Sequence, residues 1–253
     1  MKVIPLSEGT FTIDRTKRFV PFSEKEHDLH SRPTGSLLVE IQPFLVIHPR
    51  DIILLDTGLG FRQDGILQLH RNLMDAGVGP GEVTKVLLTH LHKDHAGGVG
   101  IAGDLDLSSK PVSRTALSFP NAVYYVQRAE LDFAFEKGIP SFVPDELECL
   151  RRHEQVQLLE GSGSIDGYIH YAVSGGHSPF HQVFRITENA ETVFFGGDEA
   201  PQLQQMKHRF VAKYDYDGKR AMMLRQEWWE QGQKEKWTFL FYHDVRNPVW
   251  RFT

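Results

Sequence analysis

One ten-residue stretch, THLHKDHAGG from Thr89 to Gly98, constrains this chain more than any other. It follows the apolar run KVLL, which is too short for a helix and reads as a buried strand. Within it, His90, His92, Asp94 and His95 fall inside six residues. Two histidines spaced two apart on extended backbone project to the same side, and the turn that follows brings the aspartate and third histidine around a neighbouring point. One ion could hardly use all four within six residues, so the stretch marks a candidate metal centre.

Three further ligand-type residues each close a strand-like run: His177 after YAVSGG, Asp198 after VFFGG and His243 after FLFY. Polar groups at the ends of apolar strands collect at one edge of a sheet, where loops expose them to substrate on a rigid base. Gly175, Gly176, Gly196 and Gly197 precede two of these residues, leaving the approach open and permitting sharp turns. Asp56, in LDTG, also ends an apolar strand and is placed to accept the second N–H of a ligand histidine.

The rest of the chain supplies a frame for such an edge. VIPL, FTID, SLLVEI, FLVIH and DIILLDTG read as strands, and GILQLHRNLMDAG as a helix stopping at Gly77. AVYYVQ, QVQLLEG, YIHYAV, QVFRITE, TVFFGGD and TFLFYHD follow as strands. RAELDFAFEKG, PDELECLRRH and GKRAMMLRQEWWEQGQ read as helices, the last with Asp217 as its cap. Several strands are apolar on both faces, which requires helices over the sheets. The expectation is an α+β, four-layer αβ/βα sandwich forming one domain over residues 1–253, with the metal site at one edge of the two sheets. The irregular stretch from Ile101 to Pro120 is read as a loop or lid insertion at 101–120.

A net charge of −5 with interleaved signs offers no basic stripe for phosphates, so nucleic acid is not expected as a partner. A single cysteine, Cys149, forms no internal disulfide and reads as a helix residue. No apolar run approaches a membrane span and no signal-type segment opens the chain, so no membrane association and a cytoplasmic location are expected.

In motif and order these residues resemble the metallo-β-lactamase-fold hydrolases, and among them the branch containing N-acyl-homoserine-lactone lactonases. THLHKDHAGG is similar to that family's His-x-His-x-Asp-His loop, and GHSPFHQ to its GHSPGHQ-type loop. FFGGD and YHD stand where its bridging aspartate and last histidine belong, so the likeness runs from about Ser36 to about Asp244. The resemblance implies that His90, His92 and His177 bind one metal, that Asp94, His95 and His243 bind the other, and that Asp198 bridges them. Imidazoles and carboxylates suit two divalent ions, with zinc expected and iron, manganese or cobalt compatible. It further implies hydrolysis of a lactone or ester-like bond in a small-molecule substrate, with a hydroxide between the ions as nucleophile. Asp94 is then the catalytic candidate that passes a proton to the leaving alkoxide.

The chain departs from the lactonase pattern in three places. Phe180 replaces the glycine of the GHSPGH loop, Pro201 stands where those lactonases carry a tyrosine, and 101–120 reads as inserted. Tyr214 and Tyr216 are read first as packing residues, with replacement of that tyrosine as the alternative. Thioester hydrolysis of the glyoxalase II type and iron-dependent redox chemistry on the same fold are the competing functions. His181 is read as packing, with support of the site as the alternative. His27, His30, His48, His70, His153, His170 and His208 are read as surface or packing residues, and Trp228 and Trp229 as a helix pair of which one packs on a sheet.

Overall fold

The structure is a computed structural model that describes residues 1–102 and 114–252. Six strands, β1 (Lys2–Pro5), β2 (Phe44–Ile47), β3 (Ile52–Leu55), β4 (Lys85–Leu87), β5 (Val123–Gln127) and β6 (Val156–Leu159), form one sheet in chain order. β1, β2 and β3 pair antiparallel, while β3 through β6 pair parallel. A second sheet, also in chain order, holds β7 (Gly163–Ile165), β8 (Ile169–Val173), β9 (Gln182–Glu188), β10 (Glu191–Phe195), β11 (Thr238–Leu240) and β12 (Val249–Arg251). Its strands pair antiparallel except β10 and β11, which run parallel.

Alternation along the strands creates three apolar layers. Phe44, Val46, Ile53, Leu55 and Leu87 of the first sheet meet Ile169, Phe184, Ile186, Phe195 and Leu240 of the second. Their intervening neighbours Leu45, Leu54, Val86 and Leu88 face outward onto the helices α1 (Gln68–Asp75), α3 (Arg128–Lys137) and α4 (Pro144–Arg152). Cys149 is buried in that outer layer. On the far side, Val183, Phe194 and Phe239 pack under α5 (Leu203–Lys207) and α6 (Gly218–Glu235). Helix, sheet, sheet, helix is the expected four-layer sandwich, and burial of the inner and outer strand faces is what excludes water from both. Asp217 caps α6 by accepting from the Arg220 N–H at 3.0 Å. Both Trp228 and Trp229 lie against the sheet, their rings 4.9 Å from Phe194 and 5.7 Å from Phe239, so the helix pair is not split as expected.

The 101–120 stretch differs from a plain loop at its described ends. Gly100–Ala102 pairs antiparallel with Arg114–Leu117, and Phe119 is buried in the outer layer of the first sheet. Residues 103–113 of the expected insertion lie outside the described residues. Near the N-terminus, Gly9–Ile13 pairs with Phe19–Pro21 and with Leu37–Ile41 in a small three-stranded sheet. Among the described residues no helix is long and apolar enough to cross a membrane.

Candidate metal centre

Parallel pairing of β3 with β4 and of β10 with β11 sends their C-terminal ends to a common edge. β8, two antiparallel steps from β10, ends on the same side. The loops leaving these five strands carry Asp56, the His90–His95 segment, His177, Asp198 and His243. The two sheets are joined there, since the Gln182 N–H donates to the Thr89 carbonyl at 2.9 Å and the Gln182 side-chain amide to the Leu88 carbonyl at 2.8 Å. His92 caps a short helix, α2 (Lys93–Ala96), which carries Asp94 and His95 round to their own point.

All seven expected ligands converge in two groups. Donor atoms of His90, His92, His177 and Asp198 lie within 4.8 Å of one another, and so do those of Asp94, His95 and His243. In the first group His90 Nε2 is 2.9 Å and His177 Nε2 3.1 Å from His92 Nδ1. In the second, His243 Nε2 and His95 Nε2 are 3.5 Å and 3.8 Å from Asp94 Oδ2. Asp198 stands between them: Oδ2 is 3.2 Å from His177 Nε2, and Oδ1 is 3.1 Å from His95 Nε2 and 2.9 Å from His243 Nε2.

The donor set fits divalent ions. Ligand atoms about 2.0–2.1 Å from a tetrahedral ion stand about 3.3 Å apart, close to the separations here. Buried His95 Nε2 and Asp198 Oδ1 make no hydrogen bond of proper geometry among the described residues, a costly state for polar atoms unless a cation satisfies them.

The opposite nitrogens are held so that the inward ones keep lone pairs free. His95 Nδ1 is 2.7 Å from Asp56 Oδ2, His177 Nδ1 is 3.0 Å from Asp215 Oδ1, and His243 Nδ1 is 2.7 Å from the Glu40 carbonyl. His90 Nδ1 is 3.1 Å from the Thr89 hydroxyl, which itself donates to Asp56 Oδ2 at 2.8 Å. Outer partners of this kind fix the tautomer and direction of metal-binding imidazoles. Asp56 therefore serves both groups, and its positive φ of 55° turns it back toward Thr89, whose N–H it also accepts at 2.7 Å.

Electrostatics agree with neutral imidazoles in the first group and a charged carboxylate between the two groups. Burial, reinforced by neighbouring imidazoles, pushes His90 and His92 well below the ordinary histidine value, so they stay neutral. Burial alone would raise Asp198, but His243, His95 and His177 around it hold its carboxyl well below the usual range.

Four supporting residues escape the sequence reading or are undervalued by it. His181 is buried, with Nδ1 2.9 Å from the Ser174 hydroxyl and Nε2 accepting the Asp198 N–H at 3.2 Å, so it holds the Asp198 backbone rather than merely packing. Buried Glu199 accepts the His177 N–H at 2.9 Å, and Gly176 is required beside it because a Cβ there would collide with the carboxylate. Asp215 fixes the His177 ring. Glu130, on α3, is fully buried, which pushes its carboxyl up to about 7 against hydrogen bonds from Leu91 and Ser178. Glu199 follows a candidate ligand directly, but nothing local in RAELDF or KYDYD marks Glu130 or Asp215. Of the two tyrosines considered, Tyr214 stands edge-on to His177 with ring centroids 6.0 Å apart, while Tyr216 is 72% exposed.

Residues 39–219 match the family described as the Metallo-beta-lactamase superfamily. The chain is 26% identical over 174 residues to an N-acyl homoserine lactonase of Bacillus thuringiensis, which covers 68% of this chain. It spans 60% of the length of that relative. An N-acyl homoserine lactonase, AttM, of Rhizobium johnstonii is 39% identical over 119 residues, covering 44% of this chain and 38% of its own. Among solved structures, a probable metal-dependent hydrolase from Staphylococcus aureus superposes with a TM-score of 0.77 at 18% identity, covering 99% of this chain and 91% of its own. AidC, a dizinc quorum-quenching lactonase, superposes with a TM-score of 0.72 at 20% identity, covering 98% and 88%. These two likenesses bear on the fold, whereas the family match spans most of the chain and includes His90 through Asp198. This chain belongs to the metallo-beta-lactamase superfamily.

Proposed function

We propose that the chain is a dinuclear metal-dependent hydrolase, with zinc as the expected metal, that cleaves a lactone or ester-like bond in a small-molecule substrate and acts as a single domain. The observation that carries this reading is Asp198, whose two oxygens face different histidine groups, Oδ2 toward His177 and Oδ1 toward His95 and His243. In it, His90, His92 and His177 hold one ion, Asp94, His95 and His243 the other, and Asp198 bridges. When bound, the two ions would supply a water activated near neutral pH and a Lewis acid for the substrate carbonyl.

The chain's own groups do the remaining work. Asp94 Oδ2 lies in the second group, 3.5 Å from His243 Nε2, where it can hold a proton and release it to a departing alkoxide. The Tyr214 hydroxyl accepts from the Gln205 amide at 3.1 Å, which leaves its own proton free to donate, and burial pushes it up to about 12, so the phenol keeps that proton at neutral pH. It is the best-placed replacement for the tyrosine that Pro201 displaces. The lactonases among the relatives support a lactone as the bond attacked.

Acid release from a panel of lactones, esters, thioesters and β-lactams, followed with a pH indicator on zinc-loaded protein, tests the reading. Turnover of lactones or esters, lost on chelation and restored by zinc, is expected. Turnover of thioesters alone would move the assignment to the thioester branch, and oxygen consumption by iron-loaded protein without hydrolysis would overturn it.

A further inference from the structure

The two loops that carry the first histidine group lie far apart in sequence, and one buried carboxylate ties them together. Glu130 Oε1 accepts the backbone N–H of Leu91, between His90 and His92, at 3.1 Å. Its Oε2 accepts from the hydroxyl of Ser178, the residue after His177, at 2.8 Å. Glu130 sits in the first turn of α3 and is wholly inaccessible to solvent. Burying a carboxylate is costly unless donors satisfy it, and a helix N-terminus offsets part of the cost. The donors named here are the two ligand loops.

An apolar contact one helical turn along repeats the same tie. Phe133 lies three residues after Glu130, hence on the same face of α3. Its ring centroid is 5.8 Å from that of Phe142 and 5.8 Å from that of Phe180, and Phe142 in turn is 4.8 Å from the His92 ring. Phe180, the residue that replaces glycine in the GHSPFH loop, thus joins that loop to α3.

We propose that Glu130 is a positioning residue that sets the separation of His177 from His90 and His92, so that α3 acts as a clamp on the three-histidine half of the centre. This rests on the metal-centre reading above. Leu91 and Ser178 flank ligands without being ligands, so the carboxylate acts on the spacing of the two loops, not on the metal directly. His95 and His243 are held by Asp56 and the Glu40 carbonyl, so the second half should not depend on Glu130.

The test is zinc retention by the full-length, zinc-loaded chain dialysed against graded chelator, compared among wild type, Glu130→Ala, Glu130→Gln and Ser178→Ala, with His177→Ala and His243→Ala marking each half. Glu130→Ala should weaken the zinc that His177→Ala removes by about 10–100-fold, the usual effect of losing an outer-shell partner, and leave the other zinc in place. Ser178→Ala should act on the same zinc. Glu130→Gln should restore retention, because its amide oxygen can accept from Leu91 and its NH2 can donate to the Ser178 hydroxyl. A purely structural role predicts equal loss of both ions, and that result, or no loss at all in Glu130→Ala, overturns the proposal. Failure of the metal-centre reading looks different: wild type would then retain no zinc, and the inference would fall with it.

Discussion

Asp56 Oδ2 lies 2.7 Å from His95 Nδ1, and the same oxygen accepts the Thr89 hydroxyl that stands beside His90. One buried carboxylate below the sheet edge thus orients a histidine of each group. Asp56→Asn keeps the volume but removes the charge and one acceptor. It should lower affinity for both ions, by about 10–100-fold. Chelator competition on the loaded protein checks this, and unchanged retention would show that the site holds its histidines without Asp56.

Among the described residues Asp215 meets one histidine, His177. Its Oδ1 is 3.0 Å from His177 Nδ1, and its side chain is fully buried. Asp215→Ala should therefore weaken the three-histidine half alone and reduce kcat more than it raises KM. Steady-state kinetics with metal content measured on the same sample decides the matter, and an effect confined to KM would assign Asp215 to substrate binding instead.

Tyr214→Phe removes a hydroxyl without disturbing the ring against His177. A neutral hydrogen bond contributes about 1 kcal/mol, so kcat/KM should fall about 5-fold with metal content intact. A variant as active as wild type would return Tyr214 to a packing role.

Glu8 gives the fold a pH dependence separate from that of the centre. Burial raises its carboxyl from an ordinary 4.5 to about 7, although the Leu59 N–H it accepts pulls the other way. Between those values the unfolded chain has released a proton that the native chain keeps. Stability from this group is complete below about pH 4.5 and is lost as pH rises through about 7, by about 3 kcal/mol in all. Glu8→Gln should flatten the decline in Tm between about pH 4.5 and about pH 7. Equal slopes for wild type and the Glu8→Gln variant would remove Glu8 as the cause.

Much of this architecture is visible in the sequence because it is local. The candidate ligands of His90–His95 share one loop, and His177, Asp198 and His243 each announce themselves at the end of an apolar run. The strands alternate or run apolar, and α6 carries its own cap at Asp217. The support of the centre is not local. Nothing in RAELDF marks Glu130 until the fold places it between Leu91 and Ser178, 39 and 48 residues away. Asp215 and His181 likewise acquire their roles only from neighbours that the sheets bring together. The pairing of Gly100–Ala102 with Arg114–Leu117 carries little apolar alternation, so a loop is the natural reading of those residues from sequence.

The most direct test of the dinuclear hydrolase is zinc content and turnover measured together on wild type, Asp198→Ala and His92→Ala, with far-UV circular dichroism to verify folding. Wild type should hold two ions per chain, and both variants should fold, hold fewer and turn over nothing. A correctly folded, metal-poor Asp198→Ala protein with full activity would contradict the account.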